Sequence, residues 1–278
     1  MFDRRDDPKH LLDSLRRFMR WWDRGERPWY GIAQEKLNSI SLPTPLRDLY
    51  SFAGDWPGNN FFVSAFGYRN HLVAFEFLTE VRGKLAFGFV SEGGPIFGTE
   101  FSGNDPPVWT SQSDKPWEKL CDSLAQFVVT FCLHEMVFGG LHKARPGDLL
   151  GFAKSANLHV SPVWLEGPYV GAPENVYLVD ADLLVLGYSG TQWGSTQSDA
   201  FAERFPDLFP KEQAGRKTTL DAVIRDPSVP LLVRESVARR AMREQKEQAE
   251  YHAAKAAAYE QVLSALKGTS PQLRDELN

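Results

Sequence analysis

The chain has 278 residues, with 31 Lys and Arg against 36 Asp and Glu, six His and two Cys, for a formal net charge of −5. Apolar residues make up 42% and charged residues 24%, which excludes a disordered chain, a collagen-like repeat and a disulfide scaffold. The longest apolar-rich stretch without charge, residues 123–134, is shorter than the ~20 residues a bilayer requires. Arg4 and Arg5 have no apolar run behind them, so neither a membrane span nor an export signal is expected. The two cysteines read as buried thiols, which fits a reducing cytoplasm.

Charge and aromatic content divide the chain. Residues 1–210 hold 19 basic and 26 acidic side chains, net −7, and every Trp and Phe; residues 211–278 hold 12 and 10, net +2. Three parts are expected: an N-terminal amphipathic helix docked on the body (1–27), an α+β domain (28–210), and an Ala- and charge-rich helical tail (211–278).

The first helix is expected over 8–23, with Asp7 as N-cap and Pro8 in the first turn, where its missing N–H costs nothing. Leu11, Leu15, Phe18 and Trp22 recur at helical spacing on one face, and Arg16, Arg17, Arg20 and Arg24 occupy another, which reads as a solvated surface. A short helix at 32–38 leads to Leu42-Pro43-Thr44-Pro45. The next helix then carries Leu46, Leu49, Tyr50 and Phe52 inward and stops at Gly54.

From residue 60 to 101 the pattern changes to short aromatic and β-branched runs at 61–63, 72–77, 85–90 and 96–98. The links are too short for crossover helices, so these read as antiparallel strands. Residues 117–138 read as the strongest helix, with Trp117, Leu120, Cys121, Leu124, Phe127, Val128, Phe131 and Cys132 on one wide apolar face laid across the preceding sheet. Cys121 and Cys132 would lie about 16 Å apart on it, too far to bridge. Further strands are expected at 158–165, 175–179 and 183–188, with Asp180-Ala181-Asp182 as a turn. The tail is expected to hold a long helix over 230–266, weakly anchored because Ala supplies helix propensity with little apolar area.

Chemistry is sparse. His134-Glu135 suggests a zinc-protease helix, but the second histidine, one turn on, is Phe138. The glycines at 93–98 lack the Lys-Ser/Thr of a phosphate loop, no Gly-x-Ser-x-Gly elbow occurs, and neither cysteine has an electropositive setting. No catalytic residue, cofactor or metal is therefore expected. Direct nucleic-acid contact is not expected of an acidic body whose aromatics are interleaved with apolar residues.

One pattern is familiar. Leu42-Pro43-Thr44-Pro45-Leu46-Arg47-Asp48-Leu49-Tyr50-Ser51-Phe52-Ala53-Gly54 resembles the opening of the SUKH superfamily, the Smi/Knr-like domains: Leu-Pro, then a helix ending in Tyr and a glycine. Asn104-Asp105-Pro106-Pro107-Val108-Trp109, followed by Trp117-Glu118-Lys119-Leu120-Cys121-Asp122-Ser123-Leu124-Ala125-Gln126-Phe127, is similar to the family's polar turn, extended Pro-Val segment and Ser-Leu-x-x-Phe helix. The likeness spans residues 28–140, and extends toward 210 through 180–185 and 193–194. It implies an antiparallel twisted sheet packed by helices and no active site. Many bacterial members are immunity proteins that neutralise a toxin, often a nuclease.

The expectation is thus a cytoplasmic, non-enzymatic protein-binding module, an immunity protein whose acidic body docks a basic toxin domain. Trp56, Glu92, Asp105 and Trp193, in expected loops, are its candidate contacts; Trp109 reads as a core plug. The alternatives are a regulatory scaffold that recruits a partner through the C-terminal helix, and a carboxylate-dependent hydrolase using Glu92, Asp105 or His134.

Overall fold

A computed structural model of the protein describes residues 2–23, 31–54, 70–75, 78–90, 94–112, 115–188 and 190–210. The strand expected at 61–63, the residues Trp56 and Glu92, and the C-terminal helix expected from 230 lie outside the described residues.

Helix α1 spans Pro8–Trp22, and the Asp7 carboxylate accepts from the His10 amide at 3.1 Å, so the cap is made as the sequence reads. Its stripe of Leu11, Leu12, Leu15, Phe18, Met19 and Trp22 is buried. The one-turn α2 (Gln34–Leu37) precedes α3 (Thr44–Ala53), which buries Leu46, Leu49, Tyr50 and Phe52. The Tyr50 hydroxyl donates to the Val73 carbonyl, tying α3 to the first sheet.

That sheet has six antiparallel strands: β1 (Asn70–Leu72), β2 (Thr79–Val81), β3 (Lys84–Val90), β4 (Ile96–Thr99), β5 (Val108–Ser111) and β6 (Glu118–Cys121). Their order is β1-β3-β4-β5-β6, and β2 pairs with the other half of β3. Arg82 and Gly83, both at positive φ, make the two-residue hairpin between β2 and β3.

The helix expected over 117–138 is corrected at its start. Residues 118–121 are β6, and α4 runs Leu124–Gly139, capped by Ser123, whose hydroxyl accepts from the Gln126 amide at 3.1 Å. Trp117, Leu120 and Cys121 follow a helical spacing, but pairing with β5 holds 118–121 as strand, and Ser123 caps the helix that begins after it. Cys121 is therefore on a strand and Cys132 within α4, and both are free thiols.

Thirteen of the sixteen residues of α4 are buried, which one apolar face cannot explain. The helix has a second sheet on its other side: β7 (His142–Lys143), β8 (Val160–Gly167), β9 (Glu174–Val179), β10 (Leu183–Tyr188) and β11 (Thr191–Thr196), in the order β7-β11-β10-β9-β8 and again antiparallel. Phe127 meets Phe87 and Phe97 of the first sheet at ring distances of 5.9 and 4.8 Å, while Thr130 bonds Trp164 of the second.

The run Leu183-Leu184-Val185-Leu186 shows why β10 lacks apolar-polar alternation. Leu184 and Leu186 join the core around α4; Leu183 and Val185 join a separate core with Leu149, Ala153 and Phe201. Helices α5 (Leu149–Ser155) and α6 (Asp199–Arg204) supply that outer layer. A strand buried on both faces reads as a continuous apolar run. All these elements belong to one unit, Met1–Pro210. Among the described residues no helix is long and apolar enough to cross a membrane.

Candidate functional site

Three buried polar side chains of α4 each reach a different strand. Thr130 accepts from the Trp164 indole N–H of β8 at 2.9 Å and donates to the Gln126 carbonyl. His134 Nδ1 lies 2.7 Å from Glu174 Oε1 at the start of β9. Glu135 Oε1 accepts from the backbone N–H of Asn70 at 3.0 Å and from its side-chain amide at 2.7 Å, on β1. His134-Glu135 thus spans the two sheets: the imidazole turns to one and the carboxylate to the other.

The His134 ring is stacked by Tyr169 at 4.8 Å and 17°, and Phe138 lies at the same distance. Glu174 is fully buried, and its Oε2 has no hydrogen-bond partner among the described residues. The pair is almost closed to solvent, with the His134 side chain 8% exposed. No group of three or more His, Cys, Asp or Glu among the described residues is placed to hold a metal ion.

Asp105 caps α4 from outside the helix: its Oδ1 accepts from the Ala125 amide at 2.8 Å. Nine residues separate Ala125 from His134, a rise of about 14 Å, so the Asp105 and His134 of the hydrolase alternative are not brought together. Trp193, on β11, is half-buried and packs on Phe138 at 5.6 Å, at the far end of α4. Asp105 and Trp193 therefore sit about 20 Å apart along the helix and share no surface patch.

One Ser-His contact was not foreseen. Ser161 Oγ on β8 lies 2.8 Å from Nε2 of His159, the exposed residue just before the strand. The nearby Asp180 carboxylate accepts from the His159 backbone N–H rather than orienting the imidazole, so among the described residues no third group completes a triad. Burial pushes the Cys121 thiol up to about 11, and raises that of Cys132 well above the ordinary range, with Glu135 adding to the effect. Neither is a ready nucleophile.

A groove of about 810 Å³ runs between residues 3–6 and strands β8 and β9. Its charges serve one another: Arg5 pairs with Asp3 at 2.6 Å, and Arg4 bonds Gln126 and lies 4.0 Å from Glu166.

A different surface stands out on the first sheet. Phe97 points into the core, and its neighbour Gly98 opposes Trp109 of β5 on the other face. A Cβ on Gly98 would come within 2.7 Å of the Trp117 ring, so glycine makes the seat for that indole. Lys84 Nζ sits 4.4 Å from the centre of the Trp109 ring and pairs with Glu100 at 2.6 Å; the Arg82 guanidinium lies 5.7 Å from Trp117. Both tryptophans are only half-buried, so Trp109 is not the core plug its sequence setting suggests. The signal for this face was available in the register: Trp109 alternates with the inward Val108.

No protein-family model, curated protein or solved structure matches the chain.

Proposed function

We propose that the protein is a non-enzymatic binding module of the SUKH type, an immunity protein that neutralises a toxin in the cytoplasm by occupying its surface. The observation that carries this reading is the half-buried Trp109 and Trp117 platform on a sheet face, in a body of net charge −7. Tryptophan and arginine are the residue types that anchor protein interfaces, and a negative field draws in a basic domain. The reading is also supported by the use made of the reactive groups: His134, Glu174, Glu135 and Asp105 are each engaged in holding α4.

The test is co-expression of the protein with a toxin encoded beside it, together with capture of that toxin by the tagged protein. Growth rescue and a stoichiometric complex are expected, both lost in Trp109→Ala/Trp117→Ala while the fold is kept. Turnover of a small substrate by the purified protein, abolished by a single carboxylate or imidazole replacement, would overturn the proposal.

A further inference from the structure

Charge within the body is segregated. Helix α1 carries Lys9, Arg16, Arg17 and Arg20 against Asp13, net +3, whereas the rest of residues 1–210 sums to −10. All four cations are exposed, and none forms an ion pair among the described residues. Arg17 donates to the Ser14 hydroxyl at 3.1 Å, and the Arg16 guanidinium lies 6.0 Å from the Phe52 ring centre.

Helical geometry places Lys9, Arg16 and Arg20 within about 40° of one another and spreads them over about 17 Å of helix. Trp21, 47% exposed, flanks the stripe, with its ring held against Phe18 at 5.4 Å. The Lys9 end is partly neutralised, because Lys9 and Asp13 both act on the Asp48 carboxyl of α3. The other end holds Arg16, Arg17, Arg20 and Trp21, with Asp13 one turn before Arg16 and Arg17 as the one acid of the helix. Attraction of a cation to the helix C-terminus accounts for Arg20 in the last turn, but not for three arginines beside an exposed indole.

We infer that this face of α1 docks a short acidic protein segment, with the arginine forks taking carboxylates and Trp21 packing on the segment's apolar atoms. The size and surroundings of the stripe select that occupant. A membrane surface or a long nucleic acid would bring extended negative charge against the −10 remainder, whereas a segment of five or six residues spans about 17 Å when extended and touches only the stripe. At physiological salt, charges beyond about 8 Å are largely screened, so the local sign governs at contact.

Fluorescence anisotropy of a labelled ten-residue peptide of alternating Glu and Leu, added to the full chain at low and physiological salt, tests this. Saturable binding that weakens with salt is expected. It should fall at least tenfold in Arg16→Glu/Arg20→Glu, with unchanged thermal melts because both side chains are exposed, and severalfold in Trp21→Ala. A labelled single-stranded oligonucleotide and vesicles containing phosphatidylserine serve as competing probes. Absence of peptide binding, indifference to the arginine reversals, or tighter binding of oligonucleotide or vesicles would each overturn the inference. The toxin proposal rests on the opposite charge and a different face, so it stands or falls separately.

Discussion

His134 and Glu174, forty residues apart in the chain, meet at 2.7 Å in a site almost closed to water, where one carboxylate oxygen has no further partner among the described residues. Burial of such a pair costs desolvation, and its attraction recovers that only while both members are present. His134→Ala is expected to cost about 3–5 kcal/mol, because it strands the Glu174 carboxyl in the core. His134→Phe/Glu174→Met should recover most of that loss, since apolar groups of similar volume need no partner. Urea denaturation of the three proteins decides it; a double variant as unstable as the single would show that the site demands polarity.

The hairpin between β9 and β10 turns through Asp180 and Ala181, at φ 49° and 58°, with the Asp182 amide bonded to the Val179 carbonyl at 3.0 Å. Two successive left-handed residues suit a type I′ turn, which favours Asn or Asp followed by Gly. Alanine with its Cβ is strained there. Ala181→Gly is therefore expected to stabilise the protein by about 0.5–1 kcal/mol, the relief of strain exceeding the entropy glycine adds to the unfolded chain. A lower melting temperature in the variant would refute the assignment of strain.

Some of this architecture is visible in the chain alone because the deciding interactions are local. Asp7-Pro8 starts α1, Pro43-Thr44-Pro45 sets α3, and the aromatic alternation of residues 84–90 makes β3, each within a few residues. The start of α4 is different: Trp117, Leu120 and Cys121 satisfy a helical period, and only pairing of Val108 with Cys121 and Trp109 with Lys119 makes 118–121 strand. The second sheet as a separate layer was not legible, since the partners of Leu183 and Val185 are Leu149 and Phe201, far away in sequence. The same holds for the site. Asp105 looks like a free loop acid, and its capping of α4 depends on where residue 125 comes to rest.

Two groups give the stability an opposing pH dependence. Burial lowers the His71 pKa below the ordinary 6.5. The unfolded chain therefore binds the proton first, and the contribution of neutral His71, complete above about 6.5, is lost as pH falls through the folded value. His71 lies against Phe89 at 4.9 Å across the β1–β3 pair, so His71→Phe fits the site and should flatten the decline in melting temperature between pH 7 and 5. Asp48 runs the other way: burial first, then Asp13, raise its carboxyl, with Lys9 and Arg47 opposing. Stability associated with its protonated form is lost as pH rises, so Asp48→Asn should raise the melting temperature at pH 7 relative to pH 3. Parallel pH profiles of variant and parent would contradict both.

The thiols offer a final check on packing at the β6–α4 junction. Cys121, half-buried with Sγ 3.4 Å from the Ser123 carbonyl, has its thiol pushed up to about 11. At pH 8 that leaves roughly one thiol in a thousand as thiolate, against about a quarter for a free cysteine. Cys132 is wholly buried within α4, so it lacks access as well as ionisation. The native protein should therefore react with iodoacetamide at pH 8 at least a hundredfold more slowly than glutathione, and denatured protein should take up two equivalents rapidly. Fast modification of Cys121 alone would show that its thiol is open to solvent and move the start of α4; fast modification of both would show that α4 is not the central helix of the body.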